Sequence, residues 1–314
     1  MHPARGRRAR REAALTRSDC GRAAAGYARA MADPRISIVI ITRDRCRDLL
    51  EALAHLRELP EAPQVIVVDN ASQDGTADTV RREFPGVEVL ALDDNRGPAA
   101  RNLGVQRATT PYVAFNDDDS WWEPGALSAA ADLLDAHPRL ALVNGHILVG
   151  PDQRPDPVCL EMAQSPLPLE PGQPGRALLS FVACGAIVRR DAFLAVGGFH
   201  ERLGVGGEEE IVGHRLALAG WQQSYVAEIV THHHPSAERD HHSRGATEVR
   251  NALWTAWLTR PLGGALAASA RALRADAASL RGAGAALAGL PWVWRERRPA
   301  GRRLEAQRRL LEQG

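Results

Sequence analysis

Paired cysteines are missing from this sequence, so neither a disulfide staple nor a zinc knuckle is suggested. The four present, Cys20, Cys46, Cys159 and Cys184, are widely scattered without a CxxC spacing, and a reducing cytoplasm fits best. No apolar run is long enough to span a bilayer, and the first thirty or so residues lack the apolar core of a secretory signal. No internal repeat is visible. Excess charge is missing too: 39 basic residues against 38 acidic ones give +1, which argues against a whole-protein nucleic-acid binder. The arginines gather at the ends, where Arg5, Arg7, Arg8, Arg10 and Arg11 head a basic tail expected to be disordered over residues 1–34. Met31 offers an alternative start just ahead of the first strand.

What is present is a regular alternation from residue 35 onward. Ile36 to Ile41 is a continuous apolar, β-branched run, as a strand buried on both faces of a parallel sheet requires, and Leu49, Leu50, Leu53 and Leu56 follow at helical spacing. Val65 to Val68 ends at Asp69, and Ser72, Asp74 and Gly75 then form a turn that can cap a helix starting near Thr76. Val87 to Leu92 reads as a third strand. Gly97-Pro98 opens the next helix, where the missing proline N–H costs nothing, and Pro111 to Phe115 is the fourth strand. The fold class is therefore α/β, a mostly parallel central sheet flanked by helices. Ligands in such sheets bind outside the carboxyl ends of the strands.

Polar residues collect at those ends. Thr42 and Arg43 close strand one, Asp69 and Asn70 close strand two, Asn95 and Arg96 follow strand three, and Asp117, Asp118 and Asp119 close strand four. An ordinary turn or cap explains any one of these, but four consecutive strands ending this way mark a site. Carboxylate oxygens are hard ligands suited to Mg²⁺ or Mn²⁺, and Mg²⁺ is usually held by one or two carboxylates plus substrate phosphates. The triplet thus predicts a divalent cation and a phosphorylated substrate.

Four strings in order, Ile38-Val-Ile-Ile-Thr-Arg-Asp-Arg45, Val67-Val-Asp-Asn-Ala-Ser-Gln-Asp-Gly-Thr76, Asn95-Arg-Gly-Pro-Ala-Ala-Arg-Asn-Leu-Gly104 and Phe115-Asn-Asp-Asp-Asp119, resemble glycosyltransferase family 2. Gly185-Ala-Ile-Val-Arg-Arg190, Val196-Gly-Gly-Phe199 and the stretch from Gly207-Glu-Glu-Glu210 to Arg215 and Gly220-Trp221 extend the resemblance over roughly residues 35 to 235. It implies a GT-A type fold: a nucleotide-binding half at 35–120 and an acceptor half at 121–235 over one sheet, then a helical C-terminal appendage at 236–314. It also implies that Thr42, Arg43 and Asp69 contact the base or ribose, and that Asn95 and Arg101 help to hold the nucleotide. Asp117 and Asp118 would lie near the ribose and sugar, with Asp119, joined by Asp117, as metal ligand.

Glu208, Glu209 and Glu210 open a helix that ends at Gly220, and the helix dipole alone favours acids in a first turn. Counted back from Arg215, the resemblance puts Glu209 at the position of the family's catalytic Asp, the base of an inverting transfer, with Glu208 as alternate. Two departures stand out: the usual Asp is Glu here, and Ile211 replaces an Asp often found two residues later. Five of eleven histidines fall between His232 and His242. Without cysteine partners or an HExxH arrangement they do not spell a zinc site. The resemblance instead suggests that His232 reaches the metal or diphosphate, with His234 on the same face of a continuing strand. Trp121 and Trp122 either line the sugar and acceptor cleft or pack beneath the Asp loop. Residues 151–175, rich in proline, read as an acceptor-side loop.

Beyond Arg250 the chain is dominated by Ala, Leu and Gly up to Leu290. Arg271, Arg274 and Arg281 fall within an arc of roughly 80° at helical periodicity. Pro291-Trp-Val-Trp294 follows, a combination that suits either an interfacial helix on an anionic membrane or an appendage packed on the domain. The expected function is inverting, metal-dependent glycosyl transfer with Mn²⁺ or Mg²⁺. Its partners are a nucleotide-diphospho-sugar donor, a lipid-linked or cell-envelope glycan acceptor, possible contact with an anionic membrane surface, and no nucleic acid. The expected location is cytoplasmic, peripheral on the inner face of the membrane. The alternatives are a scaffold that binds nucleotide-sugar without catalysis, and a sugar nucleotidyltransferase. The latter usually carries a glycine-rich loop after strand one, whereas Thr42 to Asp48 contains no glycine.

Overall fold

The computed structural model describes residues 33–235, 244–273 and 277–313. Most of the basic tail, His241, His242 and Arg274 lie outside them. The chain runs β1 (Ile36–Thr42), α1 (Cys46–Arg57), β2 (Gln64–Asp69), α2 (Thr76–Glu83), β3 (Glu88–Ala91), a 3₁₀ turn (Gly97–Ala100) and α3 (Arg101–Arg107). It continues through β4 (Tyr112–Asp117), β5 (Ser120–Trp122), α4 (Ala126–Ala136), β6 (Leu140–Val149), β7 (Arg154–Pro155), α5 (Pro157–Ala163) and β8 (Arg176–Ala177). Then come β9 (Ala186–Arg189), α6 (Arg190–Ala195), α7 (Glu208–Leu218) and β10 (Gln222–His233). Four helices follow: α8 (Arg244–Thr259), α9 (Leu262–Ala272), α10 (Ala277–Glu296) and α11 (Arg302–Leu311).

One sheet carries the molecule, in the order β3-β2-β1-β4-β9-β6-β10-β5. Its first four strands are parallel: β1, β2 and β4 are buried apolar runs, while β3 lies half-exposed on the edge. Beyond β4 the sheet turns mixed: β9 is antiparallel to β4 and β6, β10 is parallel to β6, and β5 returns antiparallel on the edge. Alternation along β1 splits the core. Ile36, Ile38 and Ile40 pack with Leu49, Leu53 and Leu56 of α1 and with Trp122 on one face. Val39 packs with Ile66, Val68, Phe115, Phe193 and Phe199 on the other. Helix α3 lies so close to that second face that a Cβ on Gly104 would collide with Val39 Cγ1. This close approach sets Arg101, one turn earlier, at the mouth of the sheet.

The stretch expected as a loop at 151–175 holds a helix. Asp156 caps α5 by accepting from the Val158 N–H at 3.0 Å, Pro157 occupies the first turn, and Cys159 and Met162 are buried beneath. Of the prolines that suggest a loop, Pro157 starts this helix, while Pro166, Pro168, Pro171 and Pro174 lie in irregular chain beyond it.

The C-terminal helices pack on the sheet's own elements. Trp254 and Leu253 of α8, with Ala286, Trp292 and Val293 of α10, form one cluster with Leu203 and Ile211. Ile211 is apolar here because this appendage covers it. Of the paired tryptophans, Trp292 is core and Trp294 is exposed. Among the described residues, no helix is long and apolar enough to cross a membrane.

Candidate active site

A cleft of about 410 Å³ opens at the carboxyl ends of β1, β2 and β4. Thr42, Arg43, Asn95, Arg101, Asp117 and Asp118 line one side, and Glu208 and Glu209 line it from α7. Most of the residues singled out in the sequence therefore share one cavity. Asp69 does not line it: it is buried behind, where its carboxylate accepts from the Ser72 N–H at 2.9 Å and shapes the turn after β2. Its neighbour Asn70 lines the cleft and steadies the next loop, accepting from Arg96 N–H at 3.1 Å and donating to the Gly97 carbonyl at 3.2 Å.

The aspartate turn between β4 and β5 is rigid. Ser120 Oγ accepts from the Asp117 N–H at 2.9 Å, and Asn116 donates to the Ser120 carbonyl at 2.8 Å while accepting from Trp122 Nε1 at 2.6 Å. Trp122 is thus a core residue that anchors the turn, not a cleft wall. Trp121 points to the opposite side of the edge strand and stacks on His55, with ring centroids 4.0 Å apart. Neither tryptophan lines the cleft, so the sugar-stacking expectation is corrected: β5 is short and fully paired with β10, which commits both rings to packing.

Arg45, which the sequence motifs do not single out, lines the same cleft. Its guanidinium lies 2.6 Å from Asp118 and 2.7 Å from Asp119, and Thr42 Oγ1 donates to Asp118 at 2.9 Å. Arg101 pairs closely with Asp117. Burial pushes the Asp118 carboxyl up to about 7 against the pull of Arg45. Burial works the same way on Asp119, yet hydrogen bonds from His233 and Arg45 overcome it and hold that carboxyl well below the usual range.

The histidine assignment shifts by one residue. His233 opposes Ser120 in the β5–β10 ladder and its Nε2 lies 3.3 Å from Asp119 Oδ1. His232 points away, bonded at 2.6 Å to both Gln153 and Glu123, and His234 packs on Trp121 with His232. His232 is therefore not placed as a metal ligand. Asp117, Asp119 and His233 each offer one ligand atom, all within 4.8 Å of one another. Two carboxylate oxygens and an imidazole nitrogen fit a divalent cation, and the nitrogen suits a transition ion such as Mn²⁺ better than Mg²⁺.

Glu208 and Glu209 stand in the first turn of α7, whose cap is Gly207 at φ 88°, preceded by Gly206 at φ 101°. Only glycine takes this backbone without strain. The loop is braced by α8: Asn251 Nδ2 donates to the Val205 and Gly206 carbonyls at 3.1 and 2.8 Å. Burial raises both glutamates above the ordinary carboxylate range, and for Glu209 the neighbouring charge of Glu208 adds to it. Glu210 faces elsewhere and pairs with Arg308 of α11 at 3.0 Å.

The profile of Glycosyl transferase family 2 matches residues 37–197. The chain is 28% identical over 256 residues to the N-acetylglucosaminyl-diphospho-decaprenol L-rhamnosyltransferase of Mycobacterium tuberculosis, covering 68% of this chain and 77% of that protein. It is 33% identical over 227 residues to the pre-mycofactocin glycosyltransferase of the same organism, covering 67% of this chain and 45% of that one. Among solved structures, a mannosyltransferase from Pyrobaculum calidifontis in complex with GDP-Man and Mn²⁺ superposes with a TM-score of 0.55 at 20% identity, covering 89% of this chain and 86% of that one. S. aureus TarS 1-349 gives 0.56 at 18% identity, covering 79% and 68%. These two likenesses concern the fold, which is of the GT-A type. The chain belongs to glycosyltransferase family 2 and is a glycosyltransferase.

Proposed function

We propose that this enzyme transfers a sugar, with inversion, from a nucleotide-diphospho-sugar to a hydroxyl of a lipid-linked or cell-envelope glycan. The observation that carries the reading is the single cleft shared by the aspartate turn and the Glu208–Glu209 pair. Thr42, Arg43, Asn70, Asn95 and Arg101 would bind the nucleotide, and Asp117, Asp119 and His233 would hold Mn²⁺ or Mg²⁺. When bound, such an ion supplies Lewis-acid neutralisation of the diphosphate leaving group. Glu209 takes the proton of the acceptor hydroxyl as its oxygen bonds to the anomeric carbon. The bond from that carbon to the diphosphate breaks, and the nucleoside diphosphate leaves. A general base works best with a pKa near the operating pH, which the raised glutamate pair approaches.

A groove of about 610 Å³, lined by Met162, Leu178, Phe181 and Val182 among others, shares Val182 with the cleft and supports an acceptor with an apolar part. The diphospho-decaprenol in the name of the mycobacterial relative supports the same class. A panel of nucleotide-sugars tested with and without Mn²⁺ should contain one that raises the melting temperature only with the ion and is then consumed with an acceptor. Stabilisation without consumption would favour the scaffold, and no stabilisation by any member would overturn the reading.

The brace from α8 gives a further expectation. Asn251→Ala leaves two loop carbonyls without their donor and loosens the glycines that aim Glu208 and Glu209. Misplacement of a catalytic group by about 1 Å costs on the order of 10²-fold, so kcat should fall by roughly 10- to 100-fold with donor affinity unchanged. Steady-state kinetics beside donor titration checks this, and an equal loss of donor affinity would refute the positioning role.

A further inference from the structure

Helix α10 buries one side and leaves the other apolar. Ala286, Trp292 and Val293 pack inward, and a Cβ on Gly289 would collide with the Trp254 indole, so this side is fully committed to the domain. On the outward side Leu280, Leu287 and Trp294 recur every seventh residue and are 73%, 66% and 63% exposed, with Leu290 beside them at 40%. At 100° per residue these four span an arc of roughly 80°. Leu262 and Leu266 of α9, and Leu273 just beyond it, are exposed as well. Of the thirteen large apolar side chains that stand exposed in the described residues, seven lie between Leu262 and Trp294.

Charge decides what covers this face. Exposed Arg295 and Arg281 lie on one side of the stripe, about 100° and 140° from its centre at 100° per residue, and the helix's only acid, Glu296, is turned to His200 at 3.0 Å. Every one of the 39 basic residues in the chain is arginine, whose planar fork matches phosphate oxygens. A second copy fits poorly. In a two-fold pairing centred near Leu287, Arg281 of one copy would meet Arg295 of the other with no acid to offset them. A surface of anionic headgroups over acyl chains meets both needs, with leucines and Trp294 at the depth of the headgroup boundary and arginines on the phosphates.

We propose that the outward face of α10 seats this enzyme on an anionic membrane. The two readings of the C-terminal region, packed appendage and interfacial helix, then describe opposite sides of the same helix. The proposal rests on no step of the transfer chemistry, so its failure would leave the catalytic reading standing.

The test uses the full chain and vesicles of phosphatidylcholine with or without phosphatidylglycerol, scored by co-flotation. Wild-type protein should partition onto the anionic vesicles on the order of tenfold more than onto the neutral ones, and high salt should weaken this. A Leu280→Glu, Leu287→Glu, Trp294→Glu variant, altered only at outward positions, should lose most of that binding while keeping its melting temperature. Arg281→Glu with Arg295→Glu should reduce the preference for anionic vesicles. Equal flotation of wild type and the triple variant would overturn the proposal. So would a wild-type dimer in lipid-free light scattering that the triple variant makes monomeric, because the face would then be a self-interface. If the triple variant unfolds, the arginine pair decides: unchanged anionic preference there rejects α10 as the membrane seat.

Discussion

Glu209→Gln should abolish transfer while leaving the donor bound. The amide keeps the length and hydrogen-bonding reach of the side chain in the first turn of α7 but cannot accept the acceptor's proton. General-base contributions are typically ~10²- to 10⁴-fold, so single-turnover transfer should fall by that order. Donor affinity, set across the cleft by β1, β2 and β4, should barely move. Glu208→Gln is the comparison. Glu208 is buried and its neighbour half-buried, so Glu208 is assigned to positioning and its variant should be milder. Wild-type transfer by Glu209→Gln beside a crippled Glu208→Gln would move the base by one residue. Wild-type rates in both would end the inverting-base mechanism for this cluster.

The same substitution has an opposite signature in stability. Burial raises both glutamates above the carboxylate range they have when unfolded. The native state therefore binds more protons than the unfolded one across the window between the two values. Stability is fully present below the unfolded pKa and is lost as pH rises through the folded one. Glu209→Gln removes one buried charge and its repulsion with Glu208, so thermal scans should show the variant gaining on wild type as pH rises. A catalytic group that destabilises its own fold is a common trade at active sites.

How far the residues alone foretell this site depends on how local each feature is. Strands β1, β2 and β4 are legible because a strand covered on both faces has only apolar choices, as Ile38, Val39 and Ile40 show, whereas β3 on the edge is half-exposed. The Asp turn was legible because it follows such a strand directly. His233 was not, because which histidine faces the turn is set by the register of β5 on β10, a pairing across about a hundred residues. A one-residue slip sends every side chain to the other face, so only this register separates His233 from His232. Trp122 was ambiguous for the same reason, since only the bond to Asn116 reveals its direction. Ile211 looked like a departure from the family pattern and is a consequence of the C-terminal helices that cover it. The exposed face of α10 was half legible: the periodicity showed a helix with arginines, but only packing shows which side Trp292 and Trp294 each take.

Asp119→Asn should remove metal-dependent binding of a nucleoside diphosphate. The side chain is almost fully buried, held by Arg45 at 2.7 Å and facing His233 at 3.3 Å, so the isosteric amide keeps the packing and removes the charge. A diphosphate brings negative charge to a cleft whose carboxylates are tolerable only with counter-charge nearby. Arg45 and Arg101 supply part of it, and the Asp117–Asp119–His233 group is placed to hold the rest as a cation. Calorimetry of UDP and GDP with Mn²⁺ should show affinity falling by roughly 100-fold or more, toward the value measured in EDTA. The histidines discriminate between the two placements: His233→Gln should weaken Mn²⁺-dependent binding by about tenfold, whereas His232→Gln, which breaks only the contacts to Gln153 and Glu123, should not. Wild-type metal dependence in Asp119→Asn would remove it from the ligand set, and a loss confined to His232→Gln would return the site to the other face of β10.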